Sequence, residues 1–134
     1  MGLDNIWHVP EGVEHPKLQV SLCGGMFSGP GKLTCTSFRG KVYAEFIQTV
    51  TGYSLYDDVL DKEDISSILH HLVEFKQELA NTGLGYSRVA FLKDRFDHIM
   101  YEGSLEYGLN DLDDLITMFE AYSNIAGVEL KSWY

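Results

Sequence analysis

Apolar residues recur at two different spacings along this chain of 134 residues, and the change from one to the other separates strand-like from helix-like segments. Leu18, Val20 and Leu22 alternate with Gln19 and Ser21, the period of a half-buried strand, so Leu3–Val9 and Lys17–Cys23 are both predicted to be extended. Between Cys23 and Leu33 the pattern is lost. Gly24-Gly25-Met26-Phe27-Ser28-Gly29-Pro30-Gly31-Lys32 holds enough glycine and proline to read as a loop.

From Ser37 or Gly40 the spacing turns helical. Val42, Tyr43, Phe46, Ile47 and Val50 share one face, and Gly52 is a natural stop after Thr51. Tyr53–Tyr56 is a short segment expected to pair with the N-terminal strands. Asp61 followed three residues later by Asp64 is an acidic variant of the capping box, opening a helix whose inner stripe is Ile65, Ile68, Leu69, Leu72, Phe75 and Leu79, closed by Gly83. A third helix is predicted from Ser87 to Tyr101, with Val89, Leu92, Phe96, Ile99 and Met100 inward. A strand over Tyr86–Leu92 competes, because Val, Phe and Tyr favour sheets. A fourth helix starts at Asn110, its first turn carrying Asp111, Asp113 and Asp114 against the positive helix end, with Leu112, Leu115, Ile116 and Phe119 inward and Gly127 as the stop. Val128–Trp133 alternates as a last strand. Together these segments predict a single α+β domain, a small mainly antiparallel sheet covered by about four helices.

Composition sharpens the picture. At 45% hydrophobic and 13% aromatic residues the chain is too apolar for a disordered acidic tail. No apolar run reaches the ~18–20 residues of a membrane span, and no basic-then-apolar leader opens the sequence. Met1-Gly2 lacks the Ser or Thr at position 6 that myristoylation needs, since Ile6 stands there. Two cysteines are too few for a disulfide scaffold. These features predict a cytoplasmic protein without a membrane partner.

The formal charge of −10 is unevenly placed: residues 1–55 carry four bases and four acids, residues 56–134 six bases and sixteen acids. Such a surface repels phosphates, which argues against binding duplex nucleic acid; it suits either a basic protein partner or plain solvation.

Candidate chemistry concentrates at the glycine-rich stretch. Backbone N–H groups of glycine-rich turns can converge on an anion, and Lys32, Arg39 and Lys41 add charge. A nucleotide site would draw on Gly24, Gly25, Phe27, Ser28, Gly29, Gly31, Lys32, Ser37, Arg39, Lys41 and Tyr43, with Phe27 or Tyr43 stacking on a base. The spacing is not that of a P-loop: Gly25 to Gly31 encloses five residues and Leu33 follows Lys32. The bland alternative is a structural strand-to-helix connection. Cys23 and Cys35 with His8 and His15 lack any closely spaced ligand pair, so no metal site is expected. His70 and His71 point about 100° apart on a helix and cannot share a ligand. The acids of 57–64 (Asp57, Asp58, Asp61, Glu63, Asp64) lack the alternating ligand spacing of a calcium loop. No cofactor is implied. The enzymatic alternative is a small hydrolase or transferase using Cys23 as a nucleophile or that acidic cluster.

Met1-Gly2-Leu3-Asp4, the string from Leu22 to Gly29 and the string from Ser37 to Tyr43 resemble small uncharacterised proteins of bacteriophages and bacteria, over residues 1–56. The resemblance implies a phage-type accessory protein in the host cytoplasm that acts by stoichiometric binding, including against host defence, and it names no site. Two ligands fit that role: an anionic nucleotide held by residues 24–41, or a basic host protein met by the acidic C-terminal region. Leu130, Trp133 and Tyr134 fit either inward packing or self-association.

Overall fold

The computed structural model describes residues 3–16, 22, 26–28, 35–82, 87–96, 99 and 111–133. Strand β1 (Asp4–His8) is followed by β2 (Met26–Ser28), β3 (Cys35–Phe38) and a 3-10 turn at Gly40–Val42. Then come α1 (Ala44–Thr51), β4 (Val59–Leu60), α2 (Lys62–Thr82), α3 (Ser87–Arg95), α4 (Asp111–Ser123) and β5 (Glu129–Trp133). The strands form one five-stranded antiparallel sheet in the order β2-β3-β1-β5-β4. The α+β reading therefore holds.

Register divides the sheet into two faces, because residues opposed across antiparallel strands point the same way and alternate along each strand. Trp7 is opposite Leu130, which is opposite Leu60, and Phe38 is opposite Asn5. All five are buried and form the inner face. The other face carries Ser37, Ile6, Lys131 and Val59 in one row across four strands.

The described helices pack on the inner face. Trp7 stacks on Tyr122 of α4 with ring centroids 4.2 Å apart and planes 2° from parallel, and meets Phe119 edge-on at 5.1 Å. Each such aromatic pair contributes about 0.5–1.5 kcal/mol beyond its buried area, so β1 is anchored on α4. The Tyr122 hydroxyl lies 2.8 Å from His15 Nδ1, which ties the segment after β1 to the same helix. On the other side Phe46 of α1 packs edge-on against Phe75 of α2 and against Phe96 beyond α3. Ile65, Ile68, Leu72, Leu112, Leu115 and Phe119, all expected inward, are buried in this core.

Helix ends follow the predicted chemistry. Asp64 N–H donates to Asp61 Oδ1 at 2.9 Å and Asp61 N–H to Asp64 Oδ2 at 3.1 Å, a reciprocal box at the start of α2. Gly52 closes α1 at φ 80°, with its N–H on the Gln48 carbonyl at 2.9 Å.

Two expectations are revised and two alternatives are decided. The middle of the glycine-rich stretch is not loop: Met26–Ser28 is a strand paired with β3, with a register irregularity between Phe27 and Ser28. Ser37 lies in β3 rather than in a helix, because its backbone is paired with β1 and β2. Among the described residues the segment around Leu55 pairs with no strand; the Asn5 amide instead donates to the Leu55 carbonyl at 3.0 Å, and the pairing passes to Val59–Leu60, against β5. Ser87–Arg95 is helical, so the strand alternative there is not adopted. The predicted strand over Lys17–Cys23 lies outside the described residues except for Leu22, which is buried.

Candidate functional site

The chain turns sharply between β3 and α1, and the turn is fixed by close packing. A Cβ added to Gly40 would lie 2.8 Å from Asn5 Cγ and closer still to Asn5 Oδ1. Only glycine lets the 3-10 turn lie against β1, and the Lys41 N–H then reaches the Leu3 carbonyl at 3.1 Å. This placement decides where the predicted ligand groups go. Arg39 is exposed, with Nε 3.8 Å from Asp4 Oδ1. Lys41 is exposed on the 3-10 turn. Ser37 is half-buried in the outer row of the sheet.

Tyr43 is a correction. Its ring has no exposed surface, and its hydroxyl donates to Asp111 Oδ2 at 2.8 Å. A side chain closed off from solvent and tied to the first residue of α4 offers no face to a base. Phe27 and Ser28 belong to β2. Gly24, Gly25, Gly29, Gly31 and Lys32 lie outside the described residues, as does Cys23. Among the described members of the set, Arg39 and Lys41 share one exposed turn, while Ser37 sits in the outer row and Tyr43 inside the core.

The acids of 57–64 make a different arrangement. Asp57, Asp58, Asp61 and Glu63 are exposed, and Asp61, Lys62 and Glu63 line an open hollow of about 370 Å³ with Gly127, Val128 and Glu129. Asp61 and Asp64 each accept a backbone N–H at the start of α2, which is the structural use expected of acids there. Among the described residues no group of three or more His, Cys, Asp or Glu side chains is placed to hold a metal ion.

The histidines are engaged separately. His70 Nε2 lies 3.3 Å from Glu74 Oε2, and His71 Nδ1 lies 2.8 Å from the Ser67 carbonyl. They share no ligand position, as their adjacency on α2 requires.

Two cations of the described helices are spent locally. Lys76 of α2 pairs with Asp113 of α4, and Arg95 pairs with Glu45 of α1. All four side chains are substantially exposed, so each pair contributes at most ~1 kcal/mol and does little to hold the helices together. The effect on surface charge is larger, since two positive groups are cancelled in place while Glu63, Glu74, Asp94 and Glu120 remain exposed.

Sequence reasoning identified neither the Asn5–Gly40 contact nor the Tyr43–Asp111 bond. The residues in each pair are far apart in the chain, and neither pair forms a motif. No helix of the described residues is long and apolar enough to cross a membrane. No family model, curated protein or solved structure matches the chain.

Proposed function

We propose that the chain is a non-catalytic binding protein, of the phage-accessory kind its opening residues resemble, whose acidic side docks onto a basic protein surface and keeps nucleic acid from it. The supporting observation is the exposed run Asp57, Asp58, Asp61 and Glu63, beside a hollow where Lys62 is the one cation among the described lining residues. Carboxylates spaced along a surface reproduce the charge of a phosphate backbone, and their field steers a cationic partner into place. The anionic-nucleotide reading has less support, because Tyr43 is enclosed and Arg39 has a carboxylate beside it. The hydrolase reading is likewise weakened by the capping bonds of Asp61 and Asp64.

The test offers the immobilised chain to a panel of purified basic nucleic-acid-binding proteins, beside an unrelated protein of equal acidity. Docking predicts selective retention that falls with added salt, is displaced by duplex DNA, and is lost in a D57N/D58N/E63Q variant. Retention no better than that of the acidic control overturns the reading. So does a melting-temperature rise with nucleotides that Arg39→Ala removes, which assigns the activity to residues 24–41 instead.

A further inference from the structure

We infer that the basic partner is recognised through arginine, with a guanidinium group laid flat on Trp133 while its N–H groups meet the carboxylates of Asp57 and Asp58. The inference rests on the docking reading and deepens it, by naming the side chain that the acidic side selects.

Trp133, the last residue of β5, is 72% exposed, more than any other large apolar side chain among the described residues. Ser132, next to it, fixes what lies alongside. Its N–H donates to the Asp58 carbonyl at 3.3 Å and its hydroxyl to the Tyr56 carbonyl at 3.5 Å, so the chain over 56–58 runs beside the end of β5. Tyr56, Asp57 and Asp58 are all exposed there. The open aromatic residue and the open acids therefore belong to one edge of the molecule. Aromatic side chains left open in this way are the anchors that interfaces favour.

Charge around the indole is not balanced. Arg39 lies 3.8 Å from Asp4, the residue opposite Trp133 on β1, and Lys131 lies 3.9 Å from Glu129. Each of these bases thus has a carboxylate of the chain beside it. Among the described residues no cation pairs with Asp57 or Asp58. They are the surplus that a partner's charge answers.

Two requirements then meet in one occupant. An exposed indole is best covered by something flat and weakly hydrated, and neighbouring carboxylates are best met by paired N–H donors. The guanidinium group supplies both, since it stacks on aromatic faces and presents its donors as a planar fork. The lysine ammonium is a compact, strongly hydrated point charge that answers the carboxylates alone. A second copy of this chain brings the same surplus acids to the same place, and a nucleic acid brings phosphates, so both are repelled.

Fluorescence anisotropy of dye-labelled oligo-arginine and oligo-lysine peptides of equal length, titrated with the chain at low salt, tests this. The arginine peptide is expected to bind about threefold tighter or better. Trp133→Ala, at an exposed position, should bring it to the lysine level with an unchanged far-ultraviolet spectrum, and Trp133→Tyr should restore most of the preference. The D57N/D58N variant should weaken both peptides. Equal affinity for the two peptides, an arginine preference that survives Trp133→Ala, or indifference to D57N/D58N overturns the inference and leaves the docking reading standing. Binding of neither peptide above that of an unrelated protein of equal acidity overturns both.

Discussion

Tyr43 and Asp111 meet inside the core, hydroxyl to carboxylate at 2.8 Å, with neither residue exposed. The bond joins the residue before α1 to the first residue of α4. It therefore links two helices distant in sequence around one buried charge. Burying a carboxylate is tolerable only when its oxygens are hydrogen-bonded, and the positive end of α4 adds support.

Removing that hydroxyl with Tyr43→Phe should lower stability by about 1.5–3 kcal/mol, the range for a hydrogen bond to a charged group. Urea unfolding monitored by circular dichroism checks it, with an unchanged denaturant slope showing that the folded core is otherwise retained. A loss under half a kilocalorie would mean that Asp111 does not depend on this donor.

Gly40 and Asn5 should behave as a coupled pair. A Cβ at position 40 would overlap the Asn5 amide, and that amide is held in place by the Leu55 carbonyl at 3.0 Å. Gly40→Ala alone should destabilise by about 2–4 kcal/mol, as overpacking at a rigid contact does. Adding Asn5→Ala removes the obstructing atoms, so the cost of Gly40→Ala should shrink by at least about 1 kcal/mol in that background. Additive losses in the double-mutant cycle would show that the strain lies elsewhere.

At the start of α2 the reciprocal box separates shape from charge. Asp61→Ala should cost about 0.5–2 kcal/mol, because the Asp64 N–H loses its acceptor. Asp61→Asn keeps a side-chain oxygen and should cost only a few tenths of that range. Thermal unfolding of the two variants side by side measures the difference, and equal losses would show that charge rather than the hydrogen bond is what counts there.

The helices and the two five-residue strands, β1 and β5, were the legible part of this fold. Ile65, Ile68, Leu72 and Phe75 repeat at a spacing that local geometry alone imposes, and α2 occupies the stretch they mark. β2, β3 and β4 were not legible, being two to four residues long. A strand that short is defined by its neighbours rather than by its own sequence. Ser37 shows the difficulty: Phe38, Val42 and Tyr43 lie at helical spacing from one another, yet Phe38 points inward from a strand and Tyr43 from the turn beyond it. Tyr43 also satisfied two readings at once, an inward position on a helical face and an aromatic among cations. Apolar burial prevailed over the nucleotide-stacking reading. The outer row of the sheet went unread for the related reason that Ile6, Val59 and Lys131 are brought side by side only by register.

The middle of the sheet has a consequence for biosynthesis. β1 is hydrogen-bonded on one side to residues of β3 and on the other to β5, more than a hundred positions downstream. A ribosome will have emitted all the described helices before β5, the second partner of Asp4–His8, leaves the exit tunnel. Trp7 must wait that long for Leu130, so the nascent chain carries an unfinished apolar ribbon until then, and completion of the sheet is a slow step because its defining contact spans more than a hundred residues.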